Sequence, residues 1–164
     1  MIKHIHHLSD PTKVELLPNV INGLKKFQNS GFRFGIITNQ SIIGNNTATW
    51  NEVNSVNQQV LYLLSKSSIR IDFVLVCPHK VEDLCNCRKP RPLLGFKAIN
   101  SFGINPKLSY MIGDQLSDVI FGREIGCKSI KIGYFNDNLS KADFVANDIL
   151  DAALWVNKEE EQPT

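Results

Sequence analysis

Short apolar runs alternate with helix-like segments along most of this chain, and this alternation limits the fold more than any other feature. Four runs have the length and composition of buried strands, at residues 32–37, 71–76, 108–112 and 128–132. Apolar residues recur at helical spacing in segments 18–30, 49–65, 92–102 and 116–125, and a last helix begins after Asn147 or Asp148. In units of strand, helix and strand, the helix connects the two strands by a right-handed crossover, so the strands should run parallel.

The alternation predicts a Rossmann-like α/β fold with three layers (α/β/α), in which helices cover both faces of a parallel sheet. We expect one domain over residues 1–157 and a disordered tail at 158–164, where charged residues dominate. In such sheets, ligands bind at the carboxyl ends of the strands. The polar residues that follow the predicted strands are therefore the candidates for a functional site.

The composition argues against a nucleic-acid-binding or membrane protein. The 164 residues carry a formal net charge of +2, and no apolar run is long enough to span a bilayer. The segment after Met1 lacks the apolar core of a signal peptide. Cysteines that serve as metal ligands are typical of a reducing compartment, so we predict a cytoplasmic protein.

Three of the four cysteines cluster with a histidine directly after the second predicted strand. Cys77, His79, Cys85 and Cys87 form a C-x-H-x5-C-x-C pattern, which supplies three thiolates and one imidazole. This is a complete tetrahedral ligand set for a structural zinc ion, with no position left for water. The alternative is a run of buried or reactive cysteines that binds no metal.

Polar residues follow three of the predicted strands, and the topology brings them to one rim of the sheet. They are Thr38, Asn39 and Gln40 after the first strand, Arg88 and Lys89 beyond the cysteine loop, and Asp114 and Asp118 after the third strand. Each of these residues has an ordinary interpretation as a turn former, a cap or a solvated charge. Their arrangement at successive strand ends favours a common site.

The chemistry of this rim suits a phosphoryl group. The hydroxyl of Thr38 and the point cation of Lys89 can each bind a phosphate oxygen, and the planar fork of Arg88 can bind a second one. Two carboxylates, Asp114 and Asp118, suit Mg²⁺, which prefers oxygen ligands and commonly bridges to phosphate. A hydroxyl, a lysine and magnesium around one phosphoryl group form a phosphoryl-transfer site.

Four segments carry a resemblance to a known family. They read I-I-T-N-Q-S at 36–41, C-P-H at 77–79, C-N-C-R-K-P at 85–90, and M-I-G-D at 111–114 with Asp118 four residues later. Together they closely resemble phosphatases of the haloacid dehalogenase (HAD) superfamily. The subgroup is the one that includes D-glycero-D-manno-heptose 1,7-bisphosphate phosphatase and histidinol-phosphatase, and the resemblance runs from about residue 9 to residue 133.

The resemblance implies a role for each residue of the rim. Thr38 and Lys89 would bind the transferring phosphate, and Arg88 would contact the rest of the substrate. Asp114 would hold Mg²⁺ with support from Asp118. Two further residues, Asn39 and Gln40, would lie next to the phosphate pocket. The resemblance also favours a monomer.

The chain departs from the family at its catalytic nucleophile. By the resemblance, that nucleophile is an aspartate in a D-x-D motif at the end of the first strand, and its carboxylate attacks phosphorus. No D-x-D occurs in this sequence, and the only early acid, Asp10, is followed by proline. The resemblance places Met1 just downstream of that motif. A late start codon, a decayed gene or a pseudo-enzyme would explain this, and we favour the first two.

The same departure removes a central element of the predicted sheet. In the family the first strand lies in the middle, so its absence would leave two neighbouring strands without a ladder partner. Residues 2–8 could replace it, but His4, His6 and His7 suit a solvated loop better than a buried strand.

These observations lead to two hypotheses of different classes. The first is a magnesium-dependent sugar-phosphate phosphatase with a structural zinc, acting on heptose 1,7-bisphosphate or, as the alternative, on histidinol phosphate. In this form the chain should be inactive because it lacks the nucleophile. The second is a non-catalytic, zinc-stabilised domain that binds a sugar phosphate or a partner chain.

Overall fold

The computed structural model describes residues 1–2, 8–133 and 141–161 of the chain. The strands of this part are β1 (Phe34–Asn39), β2 (Ile71–Cys77), β3 (Tyr110–Gly113), β4 (Lys128–Ile132) and β5 (Phe144–Ala146). The α-helices are α1 (Val20–Asn29), α2 (Ser41–Gly44), α3 (Trp50–Ser65), α4 (Leu93–Phe102), α5 (Leu116–Glu124) and α6 (Ile149–Glu161). Short 3-10 turns span Pro11–Lys13, Val81–Asp83 and Pro106–Leu108.

All of these strands run parallel, which confirms the predicted α/β class. β1 pairs with β2, and β3, β4 and β5 form a second ladder in that order. Within the described ranges no strand is hydrogen-bonded between β1 and β3, so the sheet consists of two ladders. Ile2 makes a single antiparallel bridge with Leu16. Residues 3–7, which carry the three histidines and most of the considered replacement strand, lie outside the described residues.

Helices α1 and α6 join the two halves of the molecule. Gly23 of α1 lies so close to α6 that an added Cβ would stand 2.6 Å from the Ile149 carbonyl carbon. Asn19 Nδ2 donates to Asp148 Oδ2 at 2.7 Å at one end of this contact. The absence of a side chain at Gly23 therefore permits the tightest helix packing that ties the β1 half to the β5 half.

Two buried clusters form most of the core. The first packs α1 against α3 and consists of Val14, Val20, Leu24, Val56, Val60, Leu64 and Ile69. The second packs α6 against β4 and β5 and consists of Phe27, Ile130, Ala146, Ala152, Ala153 and Val156. Each large aliphatic side chain buried in this way contributes about 1.5–3 kcal/mol. None of the described helices is both long enough and apolar enough to cross a bilayer.

The structure differs from the sequence prediction at several element boundaries. β1 continues through Thr38 and Asn39, which were expected to follow the strand, so the ladder itself fixes their backbone. Two short elements, α2 and β5, were not predicted. Helix α6 reaches Glu161, so residues 158–161 are helical rather than part of a disordered tail. Residues 162–164 lie outside the described part of the chain.

Candidate functional site

The Cys/His cluster has the geometry of a tetrahedral metal site. Its four donor atoms, one from each of Cys77, His79, Cys85 and Cys87, lie within 4.8 Å of one another. The three sulfur–sulfur separations and those from His79 Nδ1 to Cys77 Sγ and to Cys87 Sγ run from 3.2 Å to 3.7 Å. Zn–S and Zn–N bonds of about 2.0–2.3 Å in a tetrahedron imply donor separations of roughly 3.3–3.8 Å. The donor set and its spacing therefore both fit zinc.

The loop that carries the cluster is braced by its own arginines. Arg88 Nη1 donates to His79 O at 3.1 Å, and Arg91 Nη1 donates to Cys85 O at 2.6 Å. Cys77, the last residue of β2, is completely buried, and burial raises the pKa of its thiol to about 12. A metal that binds here has to displace a proton that the metal-free cluster holds firmly.

Lys89 leaves this loop and points its ammonium group into the rim between the two ladders. Its Nζ donates to Ile37 O of β1 at 2.6 Å and pairs with Asp118 Oδ1 of α5 at 2.8 Å. Both side chains are largely buried, with 10% of the Lys89 side chain and 7% of the Asp118 side chain exposed. Lys89 therefore connects the end of β1 to the beginning of α5, as the convergence of strand ends predicted.

Both carboxylate oxygens of Asp118 are engaged, one by Lys89 and the other by the backbone of α5. While Oδ1 pairs with Lys89, Oδ2 accepts the backbone N–H of Gln115 at 3.1 Å, which caps the start of α5. Gly113 makes room for this carboxylate, because a Cβ at that position would overlap it. Asp114 is exposed at the end of β3, and its Oδ2 accepts from Gln115 Nε2 at 3.2 Å.

Two amides organise the end of β1. Asn39 Oδ1 accepts the backbone N–H of Lys89 at 3.0 Å, and Asn39 Nδ2 donates to Lys89 O at 3.1 Å. Gln40 Nε2 donates to Thr38 Oγ1 at 3.2 Å, and the backbone N–H of Gln40 donates to Cys77 O at 2.7 Å. Because the Thr38 oxygen accepts from Gln40, its own hydroxyl hydrogen points away from that amide nitrogen.

Sequence reasoning missed one charged residue near this rim. Lys131 of β4 is 3% exposed, and its Nζ donates to Asp114 O at 3.4 Å. The signal was present, since a lysine inside a run that should be buried is unusual. The α-amino group of Met1 is also nearby. Burial lowers its pKa, and the charge of Asp114 opposes that shift.

Comparisons with known proteins agree with this architecture. A family profile described as HAD-hydrolase-like matches residues 86–152. A protein of Thermoplasma volcanium, named as a probable D-glycero-D-manno-heptose-1,7-bisphosphate 7-phosphatase, is 31% identical over 113 residues, covering 69% of this chain and 77% of the relative. The chain belongs to the HAD superfamily, in the subgroup of heptose bisphosphate phosphatases and histidinol-phosphatases.

Other members of the subgroup match different shares of their own length. The D-glycero-beta-D-manno-heptose-1,7-bisphosphate 7-phosphatase of Haemophilus ducreyi is 26% identical over 94% of this chain and 90% of the relative. The histidine biosynthesis bifunctional protein HisB of Blochmanniella floridana is 34% identical over 79% of this chain. The chain matches only 36% of that longer protein.

A solved structure matches the fold closely. The D,D-heptose 1,7-bisphosphate phosphatase of B. bronchiseptica, complexed with magnesium and phosphate, superposes with a TM-score of 0.83. The match covers 93% of this chain and 89% of that one at 19% sequence identity. The arrangement of the two ladders is therefore that of a HAD-like domain.

Proposed function

We propose that the rim around Lys89 binds a phosphate monoester of a sugar, specifically heptose 1,7-bisphosphate, as part of a magnesium-dependent phosphatase site. The observation that carries this proposal is the 2.8 Å pair between Lys89 Nζ and Asp118 Oδ1, which holds a largely buried cation at the strand ends. The relatives named for heptose 1,7-bisphosphate, which match over most of their own length, support the choice of substrate.

Each side chain of the rim has a proposed task. Thr38 donates its hydroxyl hydrogen to the transferring phosphoryl group, and Lys89 neutralises charge on the same group. Arg88 donates to His79 O through Nη1, and the other N–H groups of its guanidinium would contact the rest of the substrate. Asn39 and Gln40 lie beside the phosphate pocket.

Two metal ions fit the donors that are present. Asp114, supported by Asp118, would hold Mg²⁺, since its exposed carboxylate supplies the oxygen ligands that this ion prefers. Bound magnesium would neutralise negative charge on a phosphoryl group. The Cys77, His79, Cys85 and Cys87 cluster would hold zinc, which would fix the loop that carries Arg88 and Lys89.

The 164-residue chain is expected to bind substrate without releasing phosphate. A HAD-type phosphatase needs an aspartate nucleophile in a D-x-D motif, and this sequence contains none. Loss of a nucleophile costs several orders of magnitude in rate. We further propose that the domain acts as a cytoplasmic monomer.

Two alternatives rest on particular observations. The HisB relatives favour histidinol phosphate as the substrate. The missing nucleophile favours a non-catalytic, zinc-stabilised domain that binds a sugar phosphate or a partner chain.

Calorimetric titration with heptose 1,7-bisphosphate and with histidinol phosphate, each with and without Mg²⁺, separates these functions. The phosphatase proposal predicts tighter binding of the heptose compound, strengthened by Mg²⁺, with the Mg²⁺ effect lost in Asp114→Asn. Binding that ignores Mg²⁺ would favour the non-catalytic domain. Phosphate release that is metal-dependent and lost in Asp114→Asn would contradict the predicted inactivity.

A further inference from the structure

Asn39 is the last residue of β1, opposite Cys77 of β2 in the ladder. The family resemblance places Asn39 next to the phosphate pocket. In the structure its amide contacts the backbone of Lys89, which follows the Cys/His cluster and lies fifty positions further along the chain.

The amide of Asn39 makes two reciprocal hydrogen bonds with the backbone of Lys89. Oδ1 accepts the Lys89 N–H at 3.0 Å, while Nδ2 donates to the Lys89 carbonyl at 3.1 Å. This pairing fixes the orientation of the amide, because a flipped amide would oppose donor to donor and acceptor to acceptor. Both groups are partly buried, so water competes poorly for them.

Lys89 is consequently held at both ends of its side chain. Its backbone is tied to Asn39, and its ammonium group is tied to Ile37 O at 2.6 Å and Asp118 Oδ1 at 2.8 Å. A lysine side chain has four rotatable carbons and is otherwise a flexible point charge. The position of Nζ depends on the position of the Lys89 backbone, from which the side chain extends. Small displacements of a binding group weaken catalysis and binding.

We propose that Asn39 is a positioning residue that sets Lys89 against the phosphate-binding rim, and that it acts through Lys89 and not by contacting the substrate. The inference rests on the proposed function, in which Lys89 binds a phosphate monoester. The Oδ1 atom and one N–H of the Asn39 amide are engaged by the Lys89 backbone, which favours an effect on phosphate that is transmitted by Lys89.

A double-mutant cycle tests this role with inorganic phosphate as the probe. The dissociation constant of phosphate in the presence of Mg²⁺ is measured by ³¹P NMR for the wild-type chain, Asn39→Ala, Lys89→Ala and the double variant. Asn39→Ala should raise the dissociation constant about tenfold when Lys89 is present, because the backbone that positions Lys89 Nζ is then no longer fixed and small displacements of a binding group are costly. When Lys89 is already alanine, adding Asn39→Ala should change the dissociation constant of phosphate by less than about twofold, because the two residues act as one unit.

Amide hydrogen exchange supplies a readout that does not depend on phosphate. In Asn39→Ala the Lys89 N–H loses its acceptor and should exchange faster, whereas the Arg91 N–H, which donates to Arg88 O at 2.9 Å, should not change. Asn54→Ala, at an exposed asparagine of α3, is the matched control and should alter neither measurement. If Asn39→Ala does not fold, Asn39→Ser replaces it, since serine cannot reach both groups of Lys89.

The outcomes separate this inference from the function on which it rests. Equal losses of phosphate affinity with and without Lys89 would mean that Asn39 touches the phosphate directly, and would overturn the inference. Unchanged exchange of the Lys89 N–H in Asn39→Ala would overturn the contact itself. Unchanged phosphate affinity in Lys89→Ala would overturn the proposed function, and the role of Asn39 with it.

Discussion

At the scale of residues, the geometry of the rim depends on the pair between Lys89 and Asp118. The sequence offered both residues as site candidates, because each lies in a short motif after a predicted strand, but it did not predict that they pair with each other. The motifs did not identify the Asn39 contact, which joins positions fifty residues apart and forms only when the chain after the Cys/His cluster folds back onto β1. Lys131 was missed because the strand at 128–132 was predicted from its apolar residues, and the lysine within it was given no role.

Replacing Asp118 by asparagine should destabilise the chain strongly. The change leaves the Lys89 ammonium largely buried without its counter-charge, and breaking a buried pair costs about 3–5 kcal/mol. Asp72→Asn is the matched control, since Asp72 pairs with Arg33 at 2.6 Å and with Arg70 at 3.4 Å, and these arginine side chains are 71% and 89% exposed. An exposed pair of that kind contributes at most about 1 kcal/mol.

Urea denaturation of both variants measures this difference as a change in the free energy of unfolding. Equal losses for Asp118→Asn and Asp72→Asn would contradict the importance given to the Lys89 pair.

At the scale of elements, the long periodic segments were predictable and the short ones were not. Helix α3 was placed correctly because Thr49 and Glu52 form a capping box before a regular apolar face. β5 has three residues and α2 has four, too few to reveal a period. The end of α6 was taken for a tail because Lys158 and the glutamates after it resemble a solvated fringe. Lys128 Nζ, however, lies 3.4 Å from Glu159 Oε2 on that last turn.

Asp148 should make the stability of α6 dependent on pH. The Asn19 amide, and then the backbone N–H groups of Asp151 and Leu150, hold the pKa of Asp148 below its ordinary value of 3.8. Since the folded pKa is depressed, the stabilisation is fully present above about pH 4 and is lost as pH falls through the folded pKa. Asp148→Ala should cost about 1–2 kcal/mol at pH 7, the contribution of a helix cap.

Asp148→Asn separates the cap from the charge. Asparagine keeps an acceptor for the first turn of α6, so most of the stability at pH 7 should remain while the difference from the wild type shrinks in acid. Thermal unfolding of both proteins between pH 2 and pH 7 measures this difference in stability. An Asp148→Asn variant that loses stability in acid as steeply as the wild type would refute the assignment.

At the scale of the whole molecule, the alternation of strands and helices determined the fold class, because parallel ladders need helical crossovers. Among the described residues the sheet consists of two ladders, and none of the described strands pairs with both β1 and β3. The packing of α1 against α6 was not predictable from the sequence. It depends on the missing side chain of Gly23, which lets the backbone at Ile149 approach closely.

Zinc should bind at one ion per chain and stabilise the whole domain. Zinc at a thousandfold excess over its dissociation constant should add about 4 kcal/mol to the free energy of unfolding. Cys87→Ser should abolish this gain, because it removes one of the four ligands. Cys127→Ser, at the cysteine outside the cluster, is the matched control and should retain the metal.

Elemental analysis of the purified variants, together with their thermal midpoints with and without chelator, checks this prediction. Stoichiometric zinc in Cys87→Ser, or an unchanged thermal midpoint after chelation of the wild-type chain, would count against a structural ion.

In the proposed function, Lys89 is the cation that binds the phosphate ester. The direct measurement is the dissociation constant of heptose 1,7-bisphosphate, with Mg²⁺, for the wild-type chain, Lys89→Ala and Lys97→Ala, the last at an exposed lysine of α4. We predict that Lys89→Ala weakens binding at least about tenfold, as expected for a lost charge-assisted hydrogen bond, while Lys97→Ala binds like the wild type. Equal affinity in all three proteins would contradict it.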